Sequence, residues 1–85
     1  MIGTALAASL MWPWGWYMEI ILWDKHGHEE RPMYVEEQSY EGCVADAHVT
    51  FPRYDTSDHK RIKLTCCWGE QNKAGDCKTI YDKRR

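Results

Sequence analysis

The chain has 85 residues, of which 44% are hydrophobic and 28% charged, and its net charge at pH 7 is −2. This length allows one small domain, and the hydrophobic content excludes global disorder. A net negative charge, with most aromatic residues far from the basic ones in sequence, argues against nucleic-acid binding. We therefore expect a single domain over residues 1–85 that needs extra fastening by disulfides, a metal or a partner.

Residues 1–23 form an apolar, tryptophan-rich segment whose one charged residue is Glu19. Good helix formers follow the candidate N-cap Thr4, and Pro13 stops them, so we predict a short helix over 4–12. The sequence WYMEIILW is rich in β-formers and predicts a largely buried strand over 16–23. Two alternatives treat the segment as a membrane anchor, which needs about 20 apolar residues, or as a signal peptide, for which the basic start is missing.

Four of the five tryptophans lie between residues 12 and 23. Each buried aromatic side chain removes about 150–250 Å² from water, so we expect most of them to serve as core. Four tryptophans so close together cannot all point one way, however, and tryptophan is enriched in binding hot spots. We predict a protein-binding surface formed by Trp12, Trp14, Trp16 and Tyr17.

Residues 24–33 are polar and read as a loop, residues 34–82 as a β-rich region and residues 83–85 as a frayed tail. Within the β-rich region, AHVTFPRY places Val49 and Phe51 on one face of a strand. The clearest alternation is in RIKLTCCW, whose residues on one face are Ile62, Leu64, Cys66 and Trp68. A final short strand is predicted over 77–81. The fold class is therefore α+β, with a small antiparallel β-meander in the C-terminal half preceded by the N-terminal helix and the Trp-rich strand.

The four cysteines, Cys43, Cys66, Cys67 and Cys77, are candidates for disulfides. Neighbouring side chains on a strand point to opposite faces, so a bond between Cys66 and Cys67 would be strained. Two pairings remain open: Cys43–Cys66 with Cys67–Cys77, or Cys43–Cys67 with Cys66–Cys77. By the chain-entropy model a short disulfide loop adds about 3 kcal/mol. Paired cysteines favour an extracellular or other oxidising compartment, and buried free thiols are the alternative.

His26 and His28, which lie close to Asp24, Glu29 and Glu30, are weak candidates for binding a divalent ion. A polar loop of this kind is more often exposed and inert. The sequence also has no Gly-rich phosphate loop, no G-x-S-x-G and no H-E-x-x-H motif. We therefore expect no cofactor, no metal and no enzymatic activity.

Three classes of function follow from these patterns. The one we favour is a non-catalytic module that binds another protein, because the tryptophans and the disulfide candidates suit a small recognition domain. The second is a membrane-associated accessory subunit anchored by residues 1–23. The third is a metal-binding or catalytic domain that uses His26, His28 and a cysteine thiol.

Overall fold

Four β-strands and one α-helix follow one another along the part of the chain that the computed structural model describes, residues 14–70 and 76–85. The strands are β1 (Trp14–Asp24), β2 (Met33–Glu37), β3 (His59–Glu70) and β4 (Asp76–Arg84), and the helix α1 (Tyr40–Tyr54) lies between β2 and β3. They form one sheet in the order β2-β1-β3-β4, in which each strand is antiparallel to its neighbours. The prediction of an α+β fold with an antiparallel sheet is confirmed.

Alternation of side chains along β1 and β3 gives the sheet one buried, apolar face. Cross-strand partners fill this face together: Met18 with Cys66, Ile20 with Leu64, and Leu22 with Ile62. All six residues are buried, and α1 covers them with Cys43 and Ala47. The predicted Trp-rich strand over 16–23 is therefore confirmed as most of β1, in the centre of the sheet.

Helix α1 begins where Ser39 caps it, since the Ser39 side chain accepts a 2.9 Å hydrogen bond from the Gly42 amide. Its inward-facing residues recur at helical spacing. They are Tyr40, Cys43, Val44, Ala47, Phe51 and Tyr54. Pro52 lies in the last turn, and the Asp55 amide ends the helix by donating to the Phe51 carbonyl at 3.0 Å.

The predicted strand AHVTFPRY is wrong, because residues 47–54 belong to α1. Residues two positions apart on a helix point in different directions. Phe51 accordingly packs against the core, whereas Val49 is 59% exposed. The predicted β-meander of the C-terminal half is accordingly reduced to β3 and β4. The predicted helix over 4–12 lies outside the described residues, and the helix that the structure describes is in the middle of the chain.

Two disulfides, Cys43–Cys66 and Cys67–Cys77, fasten the elements to one another. The first joins α1 to β3 through the buried face, and the second joins β3 to the edge strand β4. Because Cys66 and Cys67 are neighbours on one strand, they point to opposite faces, and each can hold a different partner. The structure has the first of the two pairings that the sequence left open, and it leaves no cysteine free.

The C-terminal end of the chain is part of the sheet and is not the predicted frayed tail. Strand β4 continues to Arg84, and the Arg85 amide donates to the Lys60 carbonyl at 2.7 Å. The side chains of Lys83 and Arg85 both form ion pairs with Asp55. Both ion pairs hold the end of the chain against the residue that follows α1.

The buried face of the sheet makes a test of the packing straightforward. Leu64 is fully buried in the centre of β3. We expect Leu64→Ala to lower the free energy of unfolding by about 2–5 kcal/mol, because the cavity it leaves cannot close completely. Val49→Ala, at an exposed position of α1, is the control and should change stability by less than about 0.5 kcal/mol. Urea titration of both variants with disulfides intact measures the difference, and equal losses would contradict this packing.

Candidate binding cleft

A cleft of about 480 Å³ opens at one end of the sheet, on the face that α1 covers. This is the end at which β1, β4 and α1 begin and β3 finishes. Its lining residues come from β1, α1, β3 and β4: Trp16, Tyr40, Cys66, Asp76, Cys77 and Lys78. A pocket of this size suits a large side chain or a small ligand.

An aromatic cluster, defined as Trp16, Tyr40 and Trp68, stands at one side of the cleft, which Trp16 and Tyr40 line directly and which Trp68 flanks through its contact with Trp16. The Trp16 ring centroid lies 5.4 Å from that of Tyr40 and 5.5 Å from that of Trp68, the second contact being edge to face. Trp16 and Trp68 are direct cross-strand partners, so the sheet register holds the two indoles together. Trp68 lies on the face predicted for it but is 46% exposed, because it stands at the end of the sheet, outside the core that α1 covers.

Two charged residues of β4, Asp76 and Lys78, form the opposite side of the cleft. Both are exposed, and Lys78 Nζ lies 5.9 Å from the Tyr40 ring centroid, within reach of a cation–π attraction. Within residues 14–70 and 76–85, neither side chain forms an ion pair. The cleft therefore presents one positive and one negative group beside an aromatic surface, and both groups can contact a ligand.

Glu37 lies directly opposite Trp16 on β2, the other edge strand. Burial of its carboxyl group, together with the nearby Asp46 carboxyl of α1, raises the pKa of Glu37 to about 8. One of its oxygens is buried without a hydrogen-bond partner among the residues described. The raised pKa favours the uncharged form of Glu37, which lowers the negative charge beside the cleft.

The residues predicted as a binding surface do not share one face. Trp16 lines the cleft, whereas Tyr17 points to the other face of the sheet, where it is buried and its ring meets that of Tyr34 edge to face at 6.0 Å. Their separation follows from the alternation of neighbouring residues on a strand. Trp14 begins β1 opposite Glu70, and Trp12 lies outside the described residues.

The histidine pair lies in the loop between β1 and β2, at the opposite end of the sheet. His26 and His28 are exposed, their ring centroids are 6.3 Å apart, and both backbone amides donate to Asp24 Oδ1 at 2.9 Å. No group of three or more His, Cys, Asp or Glu residues in the described part of the chain is arranged to hold a metal ion. No helix of that same part is long and apolar enough to cross a membrane.

Comparison with protein-family models, with curated proteins and with solved structures finds nothing that matches this chain. The cleft is therefore interpreted from its own residues. Sequence reasoning identified Trp16 but missed Tyr40 and Lys78 as members of the site. Tyr40 could have been found as the first residue of a helical apolar stripe, whereas no local signal marks Lys78.

The raised pKa of Glu37 has a consequence for stability. The folded state holds a proton that the unfolded chain, with an ordinary glutamate pKa of 4.5, has released. This contribution is complete below pH 4.5 and is lost as the pH rises towards about 8. We expect Glu37→Gln, whose side chain stays neutral, to become more stable than the original protein at about pH 8.5 by roughly 2–4 kcal/mol, since each unit of pKa difference corresponds to about 1.4 kcal/mol.

Urea titrations at about pH 5 and about pH 8.5 measure this effect, because most of the pH-dependent loss of stability occurs between these two pH values. Glu36→Gln is the matched control, because Glu36 is the exposed neighbour of Glu37 on the same strand. Its stability should follow that of the original protein at both pH values. The same pH dependence in all three proteins would mean that Glu37 ionises normally.

Proposed function

We propose that this protein is a non-catalytic binding module whose cleft receives a large apolar or aromatic side chain from another protein. The observation that carries the proposal is the aromatic cluster, which stands partly exposed beside a concave surface instead of being enclosed in the core. Tryptophan and tyrosine are the residue types that dominate binding hot spots. Their rings bury a large area on contact and lose little conformational entropy, since each side chain has only two rotatable bonds.

The two sides of the cleft have complementary roles in this proposal. The aromatic cluster supplies the area that an apolar anchor would remove from water. Asp76 and Lys78 form a charged rim that would orient the segment carrying that anchor, because rim charges affect specificity and encounter more than affinity. The floor at Cys66 is held by its disulfide to α1, so the cleft is largely formed before a partner arrives.

The other two functions from the sequence have less support among the described residues. A membrane anchor over residues 1–23 would have to include residues 14–23, all of which pair with β3 and five of which, residues 16–20, also pair with β2. A metal site or catalytic site built on His26, His28 and a thiol would need a free cysteine, and all four cysteines are paired. The binding module is therefore the function we put forward.

Selection of random linear peptides displayed on phage, with the oxidised protein as bait, tests this function. We expect the enriched peptides to share a Trp, Phe, Tyr or Leu anchor. Their dissociation constants should increase by about tenfold or more in Trp16→Ala and in Trp68→Ala, as for hot-spot residues. Trp68→Ala is included because Trp68 is 46% exposed and its loss should leave the fold intact.

Trp23→Ala is the matched control for these measurements. Trp23 is a tryptophan of the same strand, but it lies at the opposite end of the sheet, on the other face, under the Arg61 guanidinium at 4.4 Å. Its replacement should leave peptide affinity unchanged. Thermal melts confirm that each variant is folded. Selection without any common anchor, or equal affinity for all three variants, would show that the cleft is not the binding site.

A further inference from the structure

The two disulfides differ in their access to solvent. Cys43, Cys66 and Cys67 are all buried, whereas Cys77 is exposed. Cys43–Cys66 lies between α1 and the sheet, and although Cys66 is at the floor of the cleft, its two residues are only 0% and 1% exposed, so a reductant has little access to this bond. Cys67–Cys77 offers one of its two residues at the surface, so it is the disulfide that a reducing agent can attack in the folded protein.

Cys77 also lies in the cleft, between the two charged rim residues Asp76 and Lys78. Residues 76–79 form the first half of an edge strand, and all four are exposed. Little apolar burial therefore holds this half of β4 in place. Among the described residues, it is held by its hydrogen bonds to β3, by the contact of Lys78 with the Tyr40 ring and by the covalent bond from Cys77 to Cys67.

The second half of β4 is held by other means. The Tyr81 ring stacks on that of Phe51 at a centroid distance of 4.3 Å, and Ile80 packs against the core. Lys83 pairs with Asp55 at 3.1 Å. A register shift opposite Leu64 and Thr65 separates the two halves and marks where the first could detach while the second remains.

We propose that reduction of Cys67–Cys77 by a dithiol opens the first half of β4 and thereby switches off binding at the cleft. This regulation rests on the proposed function, since it concerns the same cleft. Opening would carry Asp76 and Lys78 away from the aromatic cluster and remove one side of the site. The core disulfide would keep α1, β1, β2 and β3 assembled in the reduced form, so the change is local and reversible.

The chemical step is a thiol–disulfide exchange. One thiolate of the dithiol attacks Cys77 Sγ, forming a mixed disulfide and releasing the Cys67 thiolate. The second thiolate of the dithiol then closes on the first, releasing the Cys77 thiolate and a cyclic or intramolecular disulfide of the reductant. The protein disulfide gains two electrons and the dithiol loses two. The same exchange in reverse, with a disulfide as the oxidant that is itself reduced to two thiols, restores the bond.

Titration of the folded protein with dithiothreitol, followed by alkylation and peptide mass analysis, tests the selectivity. We expect Cys67 and Cys77 to be alkylated first, at reductant concentrations at least about tenfold below those that expose Cys43 and Cys66. Loss of both disulfides together, or of Cys43–Cys66 first, would overturn the proposal.

Hydrogen exchange of the Cys67→Ser/Cys77→Ser double variant tests the opening without any ligand. The amide of Lys78, which faces β3 because Cys67 and Cys77 form a non-hydrogen-bonded pair, should exchange at least about tenfold faster than in the oxidised protein. The amides of residues 62–64, 81 and 83 should keep their protection. This variant also prevents exchange between a free Cys67 thiol and the neighbouring disulfide. Unchanged exchange at Lys78 would show that β4 stays closed and would contradict the proposal.

Peptides from the phage selection test the switching itself. Their dissociation constants should increase by about tenfold or more in the double variant, to an extent similar to that in Trp68→Ala. Full affinity in the double variant would overturn the regulation while leaving the binding function intact. If no peptide is selected at all, the binding function is wrong, and the exchange rates still decide whether reduction opens β4.

Discussion

The register between β1 and β3 is the constraint on which the rest of the structure depends. These two central strands pair along almost their whole length, and their shared apolar face is the one that α1 covers. A slip of one residue would turn Met18, Ile20 and Leu22 towards the other face. The same register sets Trp16 directly opposite Trp68, so the core and the aromatic side of the cleft come from one alignment.

Position along the sheet separates core from cleft. In the middle, the space above β1 and β3 is filled by Cys43 and Ala47 of α1, small residues that let the helix lie close to the strands. At the end where α1 begins, Tyr40 is the outermost helix residue that packs against the sheet, and the strands extend beyond it. Trp16 and Trp68 are apolar residues on the buried face of the sheet that the helix does not enclose. A cleft lined by aromatic rings is the result.

The adjacent cysteines of β3 stabilise two different parts of this small domain. A core of this size stabilises a fold only marginally, and covalent links contribute a large share of the total. Cys66 links β3 to the helix above the sheet, and Cys67 links β3 to the edge strand beside it. The first bond lies in the part of the protein that resists opening, and the second holds the part with the least burial. Stability is therefore unevenly distributed, and the cleft lies on the less stable side.

What could be predicted from the sequence is what depends on neighbours along the chain. The β-formers and apolar run of WYMEIILW predicted the strand β1, and the alternation of RIKLTCCW predicted the strand β3. That alternation also grouped Ile62, Leu64, Cys66 and Trp68 on one face, because period two is a property of any extended strand. The same alternation excluded a Cys66–Cys67 bond and reduced the disulfide pairings to two. The polar loop over 24–33 was also readable, since its Gly, Pro and charged residues act locally.

The stretch AHVTFPRY does not identify the helix, because it is short enough to fit both the strand period of 2 and the helix period of 3.6. The pair Val49 and Phe51 fits a strand, whereas Tyr40, Cys43, Ala47 and Phe51 fit a helix once the window is lengthened. The cleft cannot be predicted without the helix, since Tyr40 belongs to the cleft only as the first residue of α1. The sequence by itself thus determined the two central strands, the four residues that share one face of β3, and the two disulfide pairings that remained open. Only the tertiary structure decided which cysteines pair and that Trp16, Tyr40 and Lys78 meet, because these contacts join distant elements whose relative positions no local pattern encodes.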